Sequence, residues 1–335
     1  MKSAQSTKNL LAILVLFALT ANGVFAAQLR IEAPGIVPFG ETFFADLHID
    51  PQMDCVNVVE ATVTYPVGTL EMIDISRGES ILTLWPEEPR VDQGAGTVTF
   101  AGGIPGGFCG AVEGPGAASD ASGVLRLVFR AIANREGITA TRTATIGFGE
   151  PTSVLLHDGF GTVAPLTTQG ATVAIRETGA LPEDAWQQSL AADTFPPEAF
   201  TLFVNRDPSI FDNAFYVTFS TTDKQTGIDY YEIRETDEYG YTPGTREAPQ
   251  WKKVAANEPY RLADQDLQSL VEVRAVDKAG NERIASLSPD DFVPLGSRKG
   301  ANAGLIAAIG ALAVLSAAAL FLMAKGHLRR RKVVP

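Results

Sequence analysis

Cysteine and histidine are the scarce residues of this 335-residue chain, with two and three copies, and their scarcity removes whole classes of chemistry. Cys55 and Cys109 stand far apart and far from the histidines, so no zinc-ligand spacing exists, and one pair is too few for a disulfide-framework scaffold. The sequence also lacks a nucleophile elbow, a zinc-protease helix motif, a phosphate-cradling loop and an EF-hand loop. Of the two histidines ahead of the C-terminal tail, His48 falls on the outward face of an expected strand and His157 in a strand-end turn. Both read as structural or exposed. Positive charge is the next deficit: 27 basic residues face 39 acidic ones, a net charge of −12, which makes nucleic acid and anionic lipid poor partners.

Long charge-free apolar runs are confined to the two ends. Residues 1–27 hold Lys2 and Lys8, an apolar stretch over 10–19, and small residues at Ala26 and Ala27, the layout of a secretory signal peptide. Ten apolar residues are too few to span a bilayer, so cleavage near Ala26 or Ala27 is expected, with an uncleaved anchor as the alternative. The second run, 303–324, has no charge and at 1.5 Å rise per residue is long enough for the ~30 Å hydrocarbon core. Lys325, Arg329, Arg330, Arg331 and Lys332 follow it, against Arg298 and Lys299 before it, so positive charge places the C-terminus in the cytoplasm. No Leu-Pro-x-Thr-Gly precedes the run, and permanent anchoring of a single-pass cell-membrane protein is expected, with a transmembrane helix over 302–324 and a basic tail over 325–335. Discounting the seven terminal cations lowers −12 to −19 for the exported part. In an oxidising compartment Cys55 and Cys109 are expected to form a disulfide, two free buried thiols being the alternative.

Between the ends, hydrophobicity alternates with a period of two. Phe43, Ala45, Leu47 and Ile49 alternate with Thr42, Phe44, Asp46 and His48; Val59, Ala61, Val63 and Tyr65 alternate with Glu60, Thr62 and Thr64; Leu125, Leu127, Phe129 and Ala131 face away from Arg126 and Arg130. These are half-buried strands. About nine such runs, separated by Gly/Pro/Asp-rich breaks and with no convincing helix, argue for a sandwich or jelly roll over 28–178. After a connector over 179–199, in which residues 181–190 have the makings of a short helix and Pro196-Pro197 stiffen the chain near its end, the alternation resumes at Phe215, Val217 and Phe219 and at Val271, Val273 and Ala275. About seven strands fit within 200–288, the number of an immunoglobulin-like sandwich. Residues 289–301, broken by Pro289 and Pro294, suit a juxtamembrane stalk. The expected fold class is therefore all-β.

Ordered pieces of the first unit resemble a cohesin domain: Gly40-Glu-Thr-Phe-Phe-Ala-Asp-Leu-His-Ile-Asp, Val59-Glu-Ala-Thr-Val-Thr-Tyr-Pro leading to Leu70-Glu-Met-Ile, Gly96-Thr-Val-Thr-Phe-Ala-Gly-Gly, Gly123-Val-Leu-Arg-Leu-Val-Phe-Arg-Ala, and Val154-Leu-Leu-His-Asp-Gly. The resemblance implies a nine-stranded jelly roll related to carbohydrate-binding modules, with one sheet face that binds dockerin modules, and a place in polysaccharide catabolism. Departures from the family are the Cys55/Cys109 pair and an insert over 85–94, and no dockerin-contact residue carries over. The second unit is similar to bacterial Ig-like or fibronectin-type modules through Asp223-Lys-Gln-Thr-Gly-Ile-Asp-Tyr-Tyr-Glu-Ile, Trp251 and Val273-Arg-Ala-Val-Asp-Lys-Ala-Gly-Asn. That similarity implies a spacer or adhesive unit.

Loop aromatics are the candidate binding residues, because sugar rings stack on exposed flat rings. Trp85, Tyr239 and Tyr241 qualify, against the plainer reading that Trp85 caps the first sandwich and the tyrosines pack on their own loop. No cofactor is expected; structural Ca²⁺ at Asp264/Asp266 or Asp290/Asp291 is the alternative to solvated surface charge. Two small sandwiches with short loops leave little room for a deep cleft, so no enzyme is expected. The expected function is surface recognition of a dockerin-bearing protein or an extracellular polysaccharide. A structural or adhesive envelope protein without either ligand is the alternative.

Overall fold

In a computed structural model, residues 26–110, 122–132, 141–177, 183–255 and 258–292 are described. Nearly all of them lie in strands or the turns between strands. The first sandwich is built from β1 (Ala27–Glu32), β2 (Ile36–Pro38), β3 (Thr42–Asp50), β4 (Val56–Thr64), β5 (Leu70–Ser76), β6 (Leu84–Asp92), β7 (Thr97–Phe108), β8 (Gly123–Ala131), β9 (Arg142–Leu156), β10 (Leu166–Gln169) and β11 (Ala171–Arg176). Its sheets have the orders β10-β1-β3-β8-β5 and β2-β11-β9-β4-β7-β6.

The first and last runs each cross between sheets. Pro34-Gly35 divides β1 from β2, and β1 then pairs in parallel with β10 while β2 pairs in parallel with β11. Gly170 divides β10 from β11 at a point where a Cβ would stand 2.5 Å from the Ile146 carbonyl oxygen, so only glycine lets the backbone pass that close. The alternating residues point as their pattern requires. Phe43, Ala45, Leu47 and Ile49 are buried against Val59, Ala61, Val63 and Phe129 in one core. At about 25 cal/mol per Å² of apolar surface removed from water, this inward stripe is the main stabilising contribution.

Residues 85–94, expected as an insert, belong largely to β6, which pairs with β7 along the sheet edge. Two prolines, Pro86 and Pro89, concealed the strand in the sequence. An edge position tolerates them because one row of backbone N–H groups needs no partner there, and the pairing register shifts across each proline, between Leu84 and Glu87 and between Glu87 and Arg90. Cys55, just before β4, forms a disulfide with Cys109, just after β7.

The second sandwich comprises β12 (Phe203–Asp207), β13 (Ile210–Thr218), β14 (Ile228–Thr236), β15 (Lys252–Val254), β16 (Tyr260–Arg261), β17 (Leu270–Asp277) and β18 (Glu282–Leu287). Sheets β12-β13-β16 and β15-β14-β17-β18 enclose a core that includes Val217, Phe219, Tyr231, Ile233, Val271 and Val273.

The connector is built into the structure. Helix α1 (Ala185–Ala192) starts at Asp184, whose side chain accepts from the Gln187 N–H, an N-cap that satisfies one orphan donor of the first turn. Eight residues are too few for a helix to persist alone in water, and α1 is held by Trp186. That side chain is 4% exposed and meets Phe44 of β3 edge-on with ring centroids 6.2 Å apart. Thr42 Oγ1 donates to Asp184 Oδ1 at 2.8 Å, tying the cap to the same strand.

Among the described residues no helix is long and apolar enough to cross a membrane. The expected spanning helix over 302–324 and the basic tail lie outside the described residues, as do residues 1–25 of the expected leader.

Candidate functional site

The two faces of the first sandwich differ in what covers them. On the β3-β8-β5 face, outward-pointing Phe44 lies opposite Val128 and receives Trp186, while Arg126 sits 4.8 Å above the Phe44 ring and grips Asp46 through two bonds of 2.7 and 3.1 Å. Next to it the second sandwich docks. Ser76 Oγ donates to the Thr226 carbonyl at 2.8 Å, Lys278 Nζ reaches Asp74 Oδ1 at 2.6 Å, and Gly78 lies so close that a Cβ would approach the Gln225 and Asp223 carbonyl oxygens to 2.8 and 3.0 Å. His48, on this face, is 5% exposed beside Ser122. It is structural.

The opposite face, on β11-β9-β4-β7, carries neither the helix nor the second domain. Thr64 lies opposite Thr97 and Gly147, Thr62 opposite Thr99 and Gly149, and Thr145 opposite Thr172. Directly paired residues share a face, so this surface is a ladder of threonines around a glycine pair. At Gly149 a Cβ would come to 3.0 Å from Thr64 Cγ2, a tight contact that the threonine would have to relieve by a small shift. The threonine and glycine positions of the ladder carry no charge. Thr99 and Thr145 are exposed; Glu60, two residues before Thr62 on β4, shares this face opposite Ala101 and Ser153 and accepts from Ser153 Oγ, and further charge lies along the edge strand at Glu87, Arg90 and Asp92.

The candidate aromatics are not brought together. Trp85 is half-buried, packs on Phe100 at 6.0 Å and has the Arg77 guanidinium 5.2 Å over its ring. It lines a cleft of about 260 Å³ between the sandwiches with Glu88, Phe219 and Thr221. Tyr239 and Tyr241 lie outside that cleft, 75% and 42% exposed, on a turn whose two N–H groups are held by Asp237 Oδ1.

The candidate calcium carboxylates are turn staples. Asp264 accepts from Asp266 N, Gln268 N and Ser269 Oγ. Burial raises its pKa, but these bonds outweigh burial and hold it below the ordinary Asp value. Asp291 accepts from the backbone and hydroxyl of Ser288. The acidic groups that do converge are Asp193, Asp223 and Asp277, with one carboxylate oxygen from each within 4.8 Å of the others. They are 6%, 3% and 1% exposed. Burial first, and the Asp193 charge second, raise the Asp223 pKa. Asp223 and Asp277 each open an Asp-Lys segment with a glycine three or four residues on, a repeated signal visible in the sequence. Asp193, at the end of α1, has no comparable signal.

No protein-family model matches the sequence, and no curated protein matches it. The chain is similar to several solved structures over a little under half its length. A cohesin module of a family 33 glycoside hydrolase from Clostridium perfringens is 16% identical, with 46% of this chain and 98% of that one covered and a TM-score of 0.30. CaCohA2 from Clostridium acetobutylicum in solution is 14% identical over 47% of this chain and 96% of that one, with a TM-score of 0.30. A CaDoc0917–CaCohA2 complex is 14% identical over 45% and 99%, again with a TM-score of 0.30.

Proposed function

We propose that this protein is a non-catalytic recognition protein of the cell surface, anchored by one C-terminal helix, which presents its cohesin-like sandwich to a dockerin-type protein module. The observation that carries the reading is the asymmetry of the first sandwich. One outer face holds α1 and the second domain, whereas the β11-β9-β4-β7 face carries neither and presents a ladder of threonines with Glu60 beside it. A broad shallow surface suits a folded protein partner better than a small substrate, which needs a concave pocket. The ordered sequence resemblance to cohesins supports the same partner class, and the Ig-like second sandwich acts as a fixed pedestal.

The test is binding of the full chain to an immobilised dockerin module with paired Ca²⁺ loops. Thr99→Arg and Thr145→Arg, which put charge and bulk on the open face, are expected to abolish binding, and Tyr239→Ala to leave it unchanged. No binding, or equal binding by both arginine variants, refutes the reading. Extracellular polysaccharide is the second reading, favoured by the 75% exposure of Tyr239. A glycan array that gives signal lost on Tyr239→Ala supports it, and a flat array removes it.

A further inference from the structure

We infer that Asp193, Asp223 and Asp277, buried where the connector meets the second sandwich, form a binding site for one hard divalent cation of the calcium class. Three segments distant in sequence supply the carboxylates: the end of α1, the β13–β14 loop and the end of β17. All three side chains are more than nine-tenths buried, where an uncompensated carboxylate is strongly disfavoured.

No ion pair among the described residues reaches any of the three. The two nearest cations in sequence are committed elsewhere. Lys278 turns outward to Asp74, and Lys224 pairs with Glu198. The hydrogen bonds that the three carboxylates receive from described residues come from uncharged donors: Asp193 accepts from Phe195 N and Thr226 Oγ1, and Asp277 from Asn281 N and Nδ2. Asp223 Oδ1 takes the N–H groups of Gln225, Thr226 and Gly227, while its other oxygen, Oδ2, receives no hydrogen bond from a described residue. A carboxylate oxygen without a donor, on a side chain 3% exposed and in a cluster with two further carboxylates, is an anionic ligand in want of a cation. The donor set is oxygen throughout, with no nitrogen or sulfur, which selects a hard ion.

The location gives the ion a mechanical role. Asp193 accepts from Thr226 Oγ1 at 2.7 Å, and its carbonyl accepts from Asn281 Nδ2 at 3.3 Å. Thr226 in turn bonds Ser76 of the first sandwich. A cation here clamps α1, the loop that touches the first domain, and β17 into one unit, so that metal binding fixes the angle between the sandwiches.

The test is uptake of radioactive Ca²⁺ by equilibrium dialysis, using the full chain in mild detergent after EDTA treatment, alongside thermal melting and limited proteolysis of the connector. The expected result is one Ca²⁺ per chain, bound at or below about 10⁻³ M, with a raised melting temperature and slower cleavage between residues 183 and 199. Asp193→Asn and Asp277→Asn are each expected to weaken binding at least about tenfold, equivalent to about 1.4 kcal/mol. Asp264→Asn, which alters a turn staple, leaves the affinity unchanged. Absence of saturable uptake by the unaltered chain at about 10 mM Ca²⁺ overturns the inference without recourse to any variant. Unchanged affinity in both Asn variants overturns it equally.

Discussion

Replacing Trp186 by alanine separates a connector that is part of the fold from one that merely joins two domains. The side chain is 4% exposed, stacks edge-on against Phe44, and is the one buried residue of an eight-residue helix. Truncating a buried tryptophan costs about 3–5 kcal/mol from lost transfer energy and the cavity left behind. Trp186 covers the outside of a sheet, where water and neighbouring side chains can fill the space, so the lower end, about 3 kcal/mol, applies. In a unit of roughly 150 residues that corresponds to a fall in melting temperature of about 6–12 °C. The loss should appear in denaturant midpoints with little change in slope. Protease sensitivity should rise along the connector, because α1 does not hold without its anchor. A change within about 0.5 kcal/mol, the range of ordinary surface substitutions, would mean that α1 is not docked on β3 and would refute the packing argument.

Acid should act on the same contact. Burial raises the Asp184 pKa, but the Gln187 N–H, the Thr42 hydroxyl and the Arg130 charge together hold it below the ordinary Asp value. Its contribution to stability is therefore present above that ordinary value and lost as the pH falls through the depressed folded one. Proteolysis of the connector at a series of pH values checks this, and Asp184→Ala should remove the dependence at a cost of about 1 kcal/mol. Cys55→Ala combined with Cys109→Ala opens a loop with a sequence separation of 54. It should destabilise the first sandwich by about 4 kcal/mol in the loop-entropy account, measured by denaturant unfolding. Gly78→Val drives a side chain into the Gln225 and Asp223 carbonyls and should part the sandwiches. A larger radius of gyration in solution scattering, with both cores still folded, is the expected outcome.

Strand identity was readable from the residues because a strand with one buried face records burial in its own alternation. Leu125, Leu127 and Phe129 needed no knowledge of their neighbours to be placed inward. That period, with the turn residues between runs, gives about nine runs where the first sandwich has eleven strands and about seven where the second has seven. The edge strand β6 was hidden because prolines obscure a pattern that an edge tolerates. The Asp264/Asp266 and Asp290/Asp291 pairs read as solvated charge with calcium as the alternative, because a carboxylate that staples its own turn looks, in sequence, like one that awaits an ion.

Composition and periodicity thus determined that the chain is β-structured, acidic and bounded by two apolar ends, since each of these depends on local residue character. Tertiary structure alone decided that one sandwich face is covered and the other open, that Trp186 fastens the connector, and that Asp193 meets Asp223 and Asp277. These are contacts between segments 30 to 200 residues apart. Neither partner carries a mark of the other until folding brings them together, because proximity in space is a property of the assembled layers and not of any stretch of chain.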